Sequence, residues 1–319
     1  MRATSRLSLV LSFALSACMH GRAKSPPAPV APPPAPAAVS TPESAAPAPK
    51  APEGFLQRRA AHPTRLLVKA PAQSEPPGSD APAPAKRVTY RSGDLELAGW
   101  LAMPAKKRGP VPVLVYLHGG LGLTPKEFAR CKPYLKAGFA VFTPTLRGRN
   151  GNPGNFELVF GEVDDARAAI QWIAEQPGID KSRIYAFGHS MGGGTVAMLT
   201  LYPDVPVRLT ASAGGIYTVD TFTSWAEDQD SKDLIRFDIK DKEEAELRVL
   251  LPHAAEMKHD HIAYMGTEET TTHKNALALQ EGAKGAKVEV VELKGDHFTA
   301  LDPALAKFLA RVRSDAPQP

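Results

Sequence analysis

Arg183-Ile184-Tyr185-Ala186-Phe187-Gly188-His189-Ser190-Met191-Gly192-Gly193-Gly194-Thr195-Val196-Ala197-Met198-Leu199-Thr200-Leu201 is the stretch from which the rest of the chain is read. Ile184 to Phe187 is a short apolar run with strand character, and Val196 to Leu201 reads as a buried helix. Between them Gly188-His189-Ser190-Met191-Gly192 forces a sharp turn. The residues two before and two after the serine must lack side chains for strand and helix to approach so closely. That places one hydroxyl on a strained bend, with a helix starting just behind it. The free N–H groups and positive dipole end of such a helix hold a developing oxyanion. Ser190 is therefore the candidate nucleophile, and the Met191 N–H the first oxyanion donor.

Composition sets the frame around this turn. Met1 to Cys18 carries Arg2 and Arg6, an apolar run from Leu7 to Leu15, and then Ser16-Ala17-Cys18. A basic start, a short apolar core and small residues before a cleavage point describe a secretory signal, and the run is too short to span a bilayer. The only other cysteine is Cys131, so with Cys18 engaged no intramolecular disulfide is available. The net charge is +4, and loss of Arg2 and Arg6 with the signal leaves +2, which carries no mark of a nucleic-acid binder. Residues 25–86 hold 17 of the 31 prolines. Such a segment buries too little apolar surface to offset its ordering entropy, so residues 18–86 are expected to be a disordered tether. Phe55 to Val68 is a less biased island within it, read as an interruption of the tether rather than as a docked element.

From Arg87 the punctuation becomes that of an α/β domain extending to Arg313, with 314–319 as a tail. Arg87 to Tyr90 and Leu95 to Met103 read as a paired start around the turn Ser92-Gly93-Asp94. Val111 to Leu117 is a strand buried on both faces, ending in His118-Gly119-Gly120-Leu121-Gly122. Backbone N–H groups of such a loop point into a site, and by spacing Gly120 or Leu121 supplies the second oxyanion donor. His118 is expected to fix the loop. Thr124-Pro125-Lys126-Glu127 is a capping box opening a helix that Gly138 closes. Phe139 to Thr145 is a strand, Gly161 to Gln176 an amphipathic helix, and Leu209 to Ala213 a further strand. The charged stretch Tyr217 to Lys258 is an insertion over the strand ends, small as a lid. Then come a strand at His261 to Met265, a helix over Lys274 to Gly282, a strand at Val288 to Leu293 and a last helix from Asp302. Alternating strands and helices predict a mostly parallel sheet with the serine-bearing strand near its centre.

His118-Gly119-Gly120 after one strand, Leu146-Arg147-Gly148 after the next, Gly188 to Gly192, and Gly295-Asp296-His297 together resemble the α/β-hydrolase superfamily. Within it the chain resembles prolyl-oligopeptidase catalytic domains and dienelactone-hydrolase-like esterases, over roughly Arg87 to Arg313. The resemblance implies a Ser-acid-His triad in that chain order. His297, in a loop after the last strand, is the expected general base. The family's acid lies three residues after a strand-ending glycine and is usually aspartate; counting from Gly266 gives Glu269, with Glu268 the competing position. Leu15-Ser16-Ala17-Cys18 in turn resembles the lipobox of bacterial lipoproteins, which implies a lipidated Cys18 and a cell-envelope location.

Three functions are compatible with these residues. The leading one is an ester-cleaving serine hydrolase that needs no cofactor. The next is a peptidase of prolyl-oligopeptidase type, and the last is a non-catalytic envelope module on the same fold, which a broken triad would mark. The dienelactone-hydrolase likeness is partial, because that family's nucleophile is cysteine. His259, Asp260 and His261 alternate at a strand start with no further cluster, so they are read as packing residues and no metal is expected.

Overall fold

The computed structural model describes residues 54–72, 80–106 and 109–315. The signal, Cys18 and most of the Pro/Ala-rich segment lie outside the described residues, as do residues 316–319. Eight strands form one sheet: β1 (Lys86–Ser92), β2 (Leu95–Ala102), β3 (Val111–Leu117), β4 (Ala140–Pro144), β5 (Ile179–His189), β6 (Leu209–Ala213), β7 (His261–Gly266) and β8 (Val288–Leu293). Their order is β1-β2-β4-β3-β5-β6-β7-β8, antiparallel at β1/β2 and β2/β4 and parallel from β4 onward. The helices are α1 (Phe55–Ala61), α2 (Pro125–Arg130), α3 (Lys132–Lys136), α4 (Gly161–Ala174), α5 (Met191–Leu199), α6 (Val219–Glu227), α7 (Lys242–Glu246), α8 (Thr270–Gly282) and α9 (Leu301–Ser314).

The unbroken apolar run of β3 is explained by burial on both faces. Val113, Val115 and Leu117 enter one core with residues of α4, α5 and α8, while Leu114 and Tyr116 enter the other with α2, α3 and α9. Alternate side chains of a strand point to opposite faces, so a sheet covered by helices on both sides tolerates no polar alternation. The sheet therefore carries the α/β-hydrolase architecture, with β5 between β3 and β6 near its centre. Its parallel strands all end on one side, which is where the turns that follow β3, β5, β6 and β7 gather.

Thr124 caps α2, its hydroxyl accepting the Glu127 N–H at 3.3 Å. The single helix expected up to Gly138 is two short ones, because Pro133 inside a continuous helix would clash with the preceding turn; it sits instead in the first turn of α3. His259 and His261 are packing residues. His259 Nε2 is 2.9 Å from the Tyr202 carbonyl, and buried His261 lies between Ser212 Oγ (2.8 Å) and Thr210 Oγ1 (2.9 Å). No described helix is long and apolar enough to cross a membrane.

The expectation that 18–86 is a featureless tether fails for residues 54–72, which pack on the domain. Phe55 is 1% exposed and sits edge-on to Tyr202 and tilted against His253. Burying a phenylalanine contributes roughly 1.5–3 kcal/mol. Arg59 lays its guanidinium over the Phe160 ring and donates to Asp164 and to the Phe160 carbonyl. Leu66 forms an antiparallel bridge with Phe237. Composition misled because few apolar residues suffice when their partners are already in place.

Candidate active site

The turn after β5 is built as its glycines demand. Ser190 has φ +54°, which costs a non-glycine residue on the order of 1–2 kcal/mol. The turn is held in this form by its Ser190 N–H bond to the Ala213 carbonyl (2.9 Å). A Cβ on Gly188 would lie 2.1 Å from the Gly192 carbonyl oxygen, and one on Gly192 would lie 2.3 Å from the Leu117 carbonyl oxygen. Helix α5 starts at Met191, so its first N–H groups have no partner in the helix. The elbow opens into a cavity of about 580 Å³.

Gly119, Gly120, Ser190, Met191, Gly214 and His297 are among the residues that line that cavity. Leu121 is not among the lining residues and packs half-buried on the core, so of the two candidate donors Gly120 is the one at the cavity. Gly120 has φ +65°, and its carbonyl accepts a hydrogen bond from buried Arg149 Nη1 at 3.2 Å, which turns that oxygen away from duty in the site. His118 is buried, and its Nδ1 is 2.9 Å from the Gly119 carbonyl. Burial, with Arg149 nearby, lowers its pKa to about 4, so it is a neutral loop anchor at pH 7. Away from the glycines the lining includes the apolar Ile216, Trp225, Leu234 and Phe298, together with Glu127 and Arg130.

His297 Nδ1 and Glu269 Oε1 are 2.7 Å apart. Glu269 Oε2 accepts the Gly266 N–H at 2.8 Å, so both carboxylate oxygens are engaged. Burial alone would raise this carboxyl's pKa. The His297 bond and the Gly266 N–H outweigh it and hold the group below its ordinary value, ionised at neutral pH. Glu268 is exposed and contributes its backbone N–H to the Gly295 carbonyl. Asp296 is half-buried and spends one oxygen on the Phe298 and Thr299 N–H groups and the Thr299 hydroxyl, organising the turn that carries His297.

Three positions at the site were not singled out from sequence. Gly214, φ +56°, lies under the His297–Glu269 pair: a Cβ there would be 2.5 Å from His297 Nδ1 and 2.9 Å from Glu269 Oε1. His189, between the elbow glycine and the serine, lies tilted against His297 with ring centroids 4.8 Å apart. Its Nε2 is 3.0 Å from the His297 carbonyl. Burial lowers the His189 pKa, which keeps the ring neutral and its Nε2–H available to that carbonyl. Gly119 makes room for it, since a Cβ would stand 2.6 Å from His189 Nδ1. The local sequence signals only glycine-rich turns; the need for these particular residues comes from partners far along the chain.

Arg147, in the loop after β4, is ion-paired to Asp165 (2.8 Å) and Glu157 (3.0 Å). Burial works against its charge, but the two carboxylates raise its pKa overall. It ties the loop to α4 and does not line the cavity.

Residues 113–253 match the model of the alpha/beta hydrolase family. Over that span, less than half of the chain, the sequence fits the α/β-hydrolase family, and the sheet has the α/β-hydrolase fold. The matched span includes Ser190 and stops short of Glu269 and His297. An uncharacterized peptidase of Bacillus subtilis, YtmA, is 34% identical over 118 residues, covering 35% of this chain and 44% of that protein. The uncharacterized protein Rv2307c of Mycobacterium tuberculosis is 29% identical over 139 residues, 43% of this chain and 49% of its own. The chain thus spans about half the length of these curated relatives. In structure it is similar to the acylaminoacyl peptidase of Pyrococcus horikoshii, with TM-score 0.57 and 20% identity over 72% of this chain and 40% of that one. It is also similar to Est1E of Butyrivibrio proteoclasticus, with TM-score 0.54 and 14% identity over 72% of this chain and 99% of that one. Those likenesses are of fold.

Proposed function

We propose that the protein is a serine hydrolase that cleaves carboxylic esters through an acyl-enzyme. The observation that carries this reading is the 2.7 Å His297–Glu269 bond in the cavity that also holds Ser190 on its turn. In the proposed reaction Ser190 Oγ bonds to the acyl carbon as its proton passes to His297 Nε2. The oxyanion is held by the N–H groups of Met191 and Gly120. Glu269 keeps the Nδ1 proton in place and balances the imidazolium. Collapse expels the alkoxide, which takes the proton from Nε2. A water then repeats the sequence on the acyl-enzyme, releasing the acid and returning the proton to Ser190. No cofactor takes part. The apolar wall of Ile216, Trp225 and Leu234 suits an acyl chain.

A peptidase is the second reading, favoured by YtmA and the acylaminoacyl peptidase among the similar proteins. One experiment separates the two. A fluorophosphonate probe is expected to label the full-length chain and not its Ser190→Ala variant. A panel of p-nitrophenyl esters and aminoacyl anilides then ranks the substrates: faster turnover of anilides replaces the ester reading, and labelling that survives Ser190→Ala removes the mechanism.

We further infer that Leu15-Ser16-Ala17-Cys18 directs lipidation of Cys18 and holds the enzyme on a membrane of the bacterial envelope. A single acyl chain binds only marginally, so a stable hold needs at least two. Produced in a bacterium, the wild type is expected in the membrane fraction and Cys18→Ala in the soluble one. Equal partitioning of both sinks the inference.

A further inference from the structure

Residues 54–72 bond mainly to the insertion between β6 and β7, and that insertion supplies Thr221, Trp225 and Leu234 to the cavity. The bonding is dense at one buried carboxylate. Glu244, on α7, accepts the Thr64 hydroxyl and the Arg65 N–H (3.1 Å), and meets His62 Nε2 at 3.0 Å. Arg248, itself buried, pairs with the same carboxylate at 2.9 Å. At the start of the segment, the Phe55 N–H donates to Glu256 Oε2 (2.7 Å), and Arg58 pairs with Glu243 (2.7 Å) and Glu246 (3.2 Å).

The contact continues to the cavity. Leu66 bridges Phe237, and the Leu67 N–H donates to the Arg236 carbonyl at 2.7 Å. Phe237 meets Phe222 edge-on at 5.9 Å, and Phe222 lies 6.2 Å from Trp225. Phe222 and Trp225 share α6, a nine-residue helix with a single buried residue, Phe222. A helix this short and this lightly packed has little stability of its own and depends on what its one anchor touches.

We propose that residues 54–72 form a positioning strap that holds α6, and through it the Trp225 wall of the cavity, so that the strap sets which acyl groups the site accepts. The substrate part of this proposal rests on the ester-hydrolase reading above; the positional part does not. Among the described residues no hydrogen bond, ion pair or ring contact joins the strap to a residue lining the cavity, and its effect passes through Phe237 and Phe222. Releasing it therefore loosens the acyl wall while leaving Ser190, His297 and Glu269 where they are. Substrates with short acyl groups, which do not reach the wall, are turned over as before.

The test uses full-length protein carrying Phe55→Ala/Arg58→Ala, followed by hydrogen exchange read by mass spectrometry. Residues 219–235 are expected to exchange at least about tenfold faster than in wild type, with 184–199 unchanged. In parallel, kcat/KM for p-nitrophenyl hexanoate relative to acetate is expected to fall about tenfold, while kcat on acetate stays within about twofold. Trp225→Ala should reproduce that loss of selectivity, and combining it with the strap variant should add little, because coupled sites are not additive. Unchanged exchange at 219–235, or losses that multiply in the combined variant, overturns the proposal. Should exchange rise throughout the double variant, Leu67→Pro, which removes the N–H bonded to Arg236 and restricts Leu66 at its bridge while changing only an exposed side chain, is read instead by the same criteria. If the wild type turns over no ester, the function proposed above fails, and the exchange measurement still decides whether the strap holds α6.

Discussion

Replacing Glu269 by glutamine is expected to lower kcat by roughly 10³–10⁴-fold with KM little changed, a loss of about 4–5.5 kcal/mol of transition-state stabilisation. The reason lies in how the carboxylate is held. One oxygen accepts the Gly266 N–H at 2.8 Å and the other faces His297 Nδ1 at 2.7 Å. A glutamine keeps its carbonyl oxygen on the Gly266 N–H, because only an oxygen can accept there. Its amide NH₂ is then turned toward His297, and Nδ1 must become the acceptor. The imidazole proton moves to Nε2, where the Ser190 hydroxyl needs a lone pair. Glu268→Gln, on an exposed side chain, should stay within about twofold. Ser190→Ala and His297→Ala should each be as damaging alone as combined, since groups acting as a unit lose their function together. Single-turnover acylation with a p-nitrophenyl ester, on variants checked by circular dichroism, measures all of these. A large loss at 268 with a near-normal 269 variant moves the acid by one position.

The contrast between Glu268 and Glu269 also marks where sequence reading stops. Counting from the strand-ending Gly266 narrows the acid to two neighbours, but which one turns inward depends on backbone bonds to Gly295, on a different loop. The elbow was legible because much of its constraint is local: a Cβ on Gly188 would run into the backbone of Gly192 and Gly193 within a single strand–turn–helix unit. β3, β6 and β8 were legible to the residue for a similar reason, since a strand covered on both faces, or ending at a turn, writes its limits into its own hydropathy. His189 and Gly214 were not legible. Each is required by the ring or backbone of His297, which stands 108 positions beyond His189. The strap was misread on the same grounds. Its helix α1 is seven residues long and could not persist alone, and its first N–H finds a partner 201 positions away. Composition reports whether a segment can fold by itself; it does not report whether the rest of the chain offers it a seat.

Gly214 gives the second large effect, and it has an internal control in Gly93. The two have nearly the same φ, +56° and +54°, so an alanine at either pays a positive-φ penalty, on the order of 1–2 kcal/mol. Their surroundings differ. A Cβ at Gly93, in the turn between β1 and β2, meets nothing within 4 Å. At Gly214 it would stand 2.5 Å from His297 Nδ1 and 2.9 Å from Glu269 Oε1, closer than nonbonded atoms approach. The ring must therefore move, and it cannot move freely, being bonded to Glu269 and packed against the His189 ring. Displacing a base by about 1 Å costs on the order of 10²-fold in rate. Gly214→Ala is thus expected to lose about 10²–10³-fold in kcat/KM, and Gly93→Ala less than about threefold; both should lower the midpoint of urea unfolding, Gly214→Ala the more because its clash adds to the backbone penalty. Equal activity in the two variants at matched stability would mean that the His297–Glu269 pair is not seated on Gly214 during turnover, and that the base reaches Ser190 from some other position of its loop.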